Sequence, residues 1–124
     1  MSFLETKYTT LPLFTMPSIT ATGATSLVAA PGTNLSIVVH SLYATLMTTT
    51  TGRSEISFRE DSNGASQYRS RSTTVGEILS KEFTIPWILE TNTAFVGALS
   101  CSGASTPTVE ITVGYRILDR RGRT

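Results

Sequence analysis

The run Thr108-Val-Glu-Ile-Thr-Val-Gly-Tyr-Arg-Ile117 constrains this chain more than any other stretch of it. Val109, Ile111, Val113, Tyr115 and Ile117 share one phase, and Glu110, Thr112, Gly114 and Arg116 share the other. Successive side chains of a strand point to opposite faces of a sheet, so this alternation predicts a strand with one dry and one wet face. No stretch of the chain shows a competing helical stripe. Similar alternation recurs in short runs with turn residues between them, and the expected fold is all-β: an antiparallel β-sandwich, jelly-roll-like, with seven or eight strands.

Composition supports the same class. Thr occurs 22 times and Ser 15 times in 124 residues, while charged residues are only 15%, against about 25% in ordinary globular domains. The branched Cβ of Thr fits a pleated surface, and Ser suits turns. A surface with few charges and many hydroxyls meets another protein at little desolvation cost. The net charge of +1 argues against a nucleic-acid partner bound by bulk charge. One cysteine, Cys101, forms no internal disulfide, which argues against a disulfide-stapled scaffold. The first residues lack the basic and apolar regions of a signal peptide, and no apolar run approaches the roughly 20 residues that span a bilayer. The expectation is synthesis in a cytoplasm and no membrane partner.

Along the chain, residues 1–26 read as an extended arm. Tyr8, Leu11, Leu13, Phe14, Met16 and Ile19 follow no sustained period, and Pro12 and Pro17 disfavour both a helix and a central strand. The apolar content of the arm suggests that it lies on its own sandwich or on a neighbouring subunit. Residues 27–118 read as the sandwich domain and 119–124 as a basic tail. A short strand over 25–30 stops at the turn pair Pro31-Gly32. The strand over 35–47 keeps Leu35, Ile37 and Val39 in one phase and Leu42, Ala44 and Leu46 in the other. That switch at His40-Ser41 predicts a bulge or a strand that bends from one sheet to the other. Residues 53–60 place Ile56 and Phe58 inward, and 67–73 form an edge strand or loop. Phe83, Ile85, Trp87 and Leu89 alternate inward, with Pro86 marking an edge or bulge. Residues 93–102 form the next strand, and 108–117 the last.

Little in the sequence carries catalysis. His40 is the only histidine, and Asp61 and Asp119 are the only aspartates. No nucleophile-elbow motif accompanies them. One His and one Cys do not make a zinc set, and Asp61 with Asn63 lacks the carboxylate density of a calcium loop. Glu55 and Glu110 fall on wet strand faces, where solvated charges are ordinary. The glycines are isolated turn residues, not a phosphate loop. Neither an enzymatic role nor a cofactor or metal is expected. Two features admit a binding role. Arg69, Arg71 and the cluster Arg120, Arg121 and Arg123 suit phosphates or an acidic protein surface, although solvated edge charges explain them as well. Trp87, Tyr43, Tyr68 and Tyr115 are candidates for a sugar-binding platform, although the phase of Trp87 favours the core.

The order of several pieces resembles small tailed-bacteriophage virion proteins with jelly-roll-like sandwiches. These pieces are Leu27-Val-Ala-Ala-Pro-Gly32, the strand around Ser41-Leu-Tyr-Ala44, Ile56-Ser-Phe58, Phe83-Thr-Ile-Pro-Trp87, Thr91-Asn-Thr-Ala-Phe95, Leu99-Ser-Cys-Ser-Gly103 and Val113-Gly-Tyr115. The resemblance covers about residues 27 to 117 and is one of pattern; the arm has no counterpart in it. It implies a capsid decoration (cement) or head-fibre protein on the virion surface, with the major capsid protein as partner. A cyclic homo-oligomer, a trimer, is the matching expectation at a capsid symmetry point. In that setting Phe3, Leu4, Tyr8, Leu11, Leu13 and Phe14 would extend over shell or sister subunits, and Arg120, Arg121 and Arg123 would meet acidic patches. The alternative is a tail- or fibre-associated module binding a receptor or carbohydrate.

Overall fold

In the computed structural model the C-terminal alternation becomes β9 (Val109–Asp119), and the strand with the phase switch becomes β4 (Leu35–Leu46), its neighbour. The residues described are 11–48, 52–61, 67–103 and 106–121. Around this central pair lie β1 (Leu13–Thr15), β2 (Ser18–Ile19) and β7 (Gly76–Ile88). One sheet runs β1-β9-β4-β7, with β2 continuing β1 along β9. The second sheet runs β3 (Gly23–Val28), β8 (Phe95–Cys101), β5 (Ser54–Glu60) and β6 (Tyr68–Ser72). Every pairing is antiparallel, and no helix occurs among the described residues.

Counting β1 and β2 as one interrupted strand leaves four strands in each sheet. The chain then crosses between sheets in the order of a jelly roll, two interlocked Greek keys. The core lies between the sheets. Ile37, Leu42 and Ile111 meet Ile56, Phe58 and Leu99 across it, all of them buried. Fully burying a side chain of this size stabilises a fold by about 1.5–3 kcal/mol.

Residues 11–26 differ most from their reading as an arm. Leu13 pairs with Tyr115, Ser18 with Glu110 and Ile19 with Val109, so this segment is the edge strand of the first sheet. Pro17 interrupts it at no cost to the ladder: it lacks an N–H, but its carbonyl accepts from the Ile111 N–H at 2.9 Å. Ile19 is buried in the core. The strand expected over 25–30 begins earlier, at Gly23, and pairs with β8 from there. Residues 1–10, which include Phe3, Leu4 and Tyr8, and residues 122–124, which include Arg123, lie outside the described residues.

The bulge falls where the phase switch places it. Val39 pairs with Tyr115 and Ser41 with Gly114, so His40 is the additional residue. Toward β7 the irregularity is larger. Val39 pairs with Trp87 and Ser41 with Glu82, so residues 83–86 pass the bulge without a register partner on β4. Pro86 sits in that interval, where no ladder N–H is required. One expectation is corrected by it: Ile85 does not point inward but is 84% exposed. Released from the ladder, residues 83–86 no longer alternate. The Pro31-Gly32 turn is as expected, with Gly32 at φ 116° and the Leu35 N–H donating to the Gly32 carbonyl at 3.1 Å.

Candidate functional site

The bulge draws three strands into one feature on the outer face of the first sheet. Pro12, Leu13 and Phe14 form one wall of a groove of about 190 Å³, with His40 and Ser41 from β4 and Gly114, Tyr115 and Arg116 from β9 completing it. Phe14 and Gly114 are cross-strand partners. A Cβ on Gly114 would lie 2.3 Å from the Ser41 Oγ and 2.9 Å from the Phe14 ring. The glycine is therefore what lets the ring lie down across β9. Gly114→Ala is expected to lift Phe14 off the sheet, close the groove and cost about 1–3 kcal/mol of stability, as overpacking does. Urea unfolding of the variant checks the cost; an unchanged midpoint would show that the ring moves freely.

The groove is smaller than the roughly 300–1,000 Å³ of ordinary small-molecule pockets. Its scale is that of a single side chain. Apolar walls lie beside the charged Arg116 and the titratable His40. Burial lowers the His40 pKa below its ordinary value, and the positive charge of Arg116 lowers it further. The unfolded chain therefore takes up this proton at a higher pH than the folded chain does. The contribution to stability is complete above the unfolded pKa near 6.5 and is lost as pH falls below it toward the folded value. Thermal melting between pH 7 and 5 is expected to show an acid-side loss that His40→Gln diminishes.

The residues expected to bind a partner divide. Leu11 and Phe14 are 82% and 67% exposed, and Leu13 is less so. All three adjoin the outer edge of the first sheet. Arg121 is engaged locally: its Nε donates to Asp119 Oδ1 at 3.0 Å and its Nη2 to Oδ2 at 3.1 Å, and its backbone N–H also reaches Oδ1. That fork leaves Arg120, which is exposed, as the cation better presented to an acidic surface. Arg71 likewise is paired, with Glu55 across β5–β6 at 2.5 Å, while Arg69 stands opposite Ser57.

The aromatic candidates are not gathered on one surface. Trp87 is half-buried where the two sheets meet, 5.2 Å from Phe95, 5.3 Å from Tyr68 and 6.4 Å from Phe83 by ring centroids. Lys81 lies over the Tyr68 and Phe83 rings at 5.9 and 5.7 Å. Tyr115 packs against the core. Tyr43 stands apart on the outer face, hydrogen-bonded to Glu82; burial raises its phenol pKa, with the Glu82 and Glu77 charges adding to the effect. Sequence reasoning missed the groove because its three walls meet only through register. Among the described residues no group of three or more His, Cys, Asp or Glu side chains is placed to hold a metal, and no helix is long and apolar enough to cross a membrane. No protein-family model matches the chain, and no curated protein matches it.

Proposed function

We propose that this chain is a structural virion protein, a decoration (cement) protein that binds the assembled shell of a tailed phage through its major capsid protein. The observation that carries the reading is the rigid jelly-roll sandwich with large apolar side chains, Leu11, Phe14 and Met16, exposed along one sheet edge beside a side-chain-sized groove. A sandwich of this kind serves virion and lectin domains alike, so the fold supports the reading only together with that surface. The resemblance over residues 27–117 adds to it.

The mechanism is linkage. A protein that binds only the assembled lattice stabilises the lattice by mass action. The apolar edge and groove would seat on shell or sister subunits, Arg120 would meet an acidic patch, and the proposal assigns the chain no catalysis. Its site is the virion surface, after synthesis in the host cytoplasm.

Quantitative mass spectrometry of purified particles, counting this chain against the main shell protein, tests the reading. Hundreds of copies per particle are expected. A handful would instead favour the tail- or fibre-associated receptor or carbohydrate module, for which Tyr43 beside Glu82 is the exposed-face aromatic to substitute first. Complete absence from particles would overturn both readings.

A further inference from the structure

Among the described residues the first sheet ends in β1 and β7 with no further strand beyond either, and nearly all the large exposed apolar surface of those residues is on these two edges. Leu11, Leu13, Phe14 and Met16 lie on or beside β1, and Val75, Ile85 and Ile88 on or beside β7; Met47 alone is elsewhere. The edge strands of the second sheet, β3 and β6, expose none. A monomer rarely leaves such patches open.

The two edges also match in height. Leu13 pairs with Tyr115, Tyr115 with Val39 and Val39 with Trp87, so one row across the sheet joins the start of β1 to the end of β7. All of these apolar side chains but Val75, which flanks the opposite end of β7, lie around that row. Soluble proteins commonly guard an edge strand with charge. Here neither edge is guarded at this height. No Asp, Glu, Lys or Arg occurs between Lys7 and Arg53, and none between Glu82 and Glu90. The charges of β7, Glu77, Lys81 and Glu82, are confined to its first half, where the Ser70 hydroxyl of β6 already donates to the Ile78 carbonyl.

Strand direction completes the match. The four strands alternate in direction, so β1 and β7 run opposite ways. Two copies related by rotation about a common axis, set edge to edge, therefore bring β1 of one antiparallel to β7 of the next.

We infer that a second copy of this chain occupies each edge: β1 of one copy docks along the Phe83–Ile88 half of β7 in the next, continuing the sheet head to tail. The six side chains at this contact expose of the order of 700 Å² between them, somewhat under half of a standard interface of roughly 1,600 Å², with strand backbone and polar flanks making up the rest. A contact between unlike edges is heterologous, so it closes into a ring or propagates as a filament. It assigns the β1 edge invoked in the proposed function to a sister subunit rather than to the shell, and because it concerns the free chain, its failure is separable from that of the virion reading.

Light scattering during size exclusion of the full chain is the test. The wild type is expected as an oligomer well above the 13.3 kDa of one chain. Leu11→Lys and Ile85→Lys, at positions 82% and 84% exposed, are each expected to weaken association by about thirtyfold or more, as a hot-spot loss does, with circular dichroism unchanged. Met16→Lys and Ile88→Lys repeat the pair if either variant misfolds. An equal mixture of the two variants retains one intact β1 edge and one intact β7 edge, so it is expected to form dimers and nothing larger. A monomeric wild type, an oligomer that survives Ile85→Lys, or a mixture without dimers would each overturn the inference.

Discussion

A chain lacking residues 1–26 is expected not to fold, whereas one lacking only residues 1–10 keeps the nine strands of the described residues and is expected to fold. The longer deletion removes β1, β2 and the first four residues of β3. It takes Ile19 from the core, where Ile19 and Leu27 lie so near Gly97 of β8 that an added Cβ there would meet their Cδ1 atoms at 3.4 and 3.0 Å. Emptying one buried aliphatic site of this size costs about 2–5 kcal/mol, and the β1–β9 and β2–β9 ladders and four of the five β3–β8 register pairs are lost with it. Set against a typical total of about 5–15 kcal/mol, little stability would remain. Urea unfolding followed by Trp87 fluorescence measures both chains. A cooperative transition in the longer deletion would show that the sandwich begins after residue 26.

Phe95→Ala is expected to destabilise the fold by about 3–5 kcal/mol. Phe95 is fully buried, stacked on Phe58 at 6.0 Å between centroids and met edge-on by Trp87 at 5.2 Å. It thereby joins the second sheet to β7 of the first. Phe58→Ala should cost a similar amount, and the double variant less than the sum, because the two rings share one contact. Phe14→Ala, on the exposed edge, should change stability far less. The midpoint of chemical unfolding decides among these, and equal losses at Phe14 and Phe95 would contradict the layered core.

The engagement of Arg121 illustrates what a closer reading of local sequence allows. Asp119 and Arg121 are two residues apart at a strand end, so their fork needs no tertiary partner. Tyr43 and Glu82 are far apart in sequence, and only the β4–β7 register brings them together. The Leu11–Phe14 segment was legible as an apolar surface in search of a partner, but not as part of a sheet.

Periodicity along the chain was enough for the class of fold, the irregularity at His40, the inward phase of Ile56 and Phe58 and the strand from Val109, because in each the period-2 pattern runs long enough to identify a face. Pairing between strands settled that residues 13–19 belong to the sheet, since strands of three and two residues around a proline hold too little periodicity and are fixed by their ladder to β9. It also decided that Gly76–Ile88 is one long edge strand whose polar first half shows no alternation, and that Ile85 turns outward where residues 83–86 leave the register. The groove and the two matching edges belong to the same category. Cross-strand register sets which residues lie level in a sheet, and no pattern within a single strand encodes it.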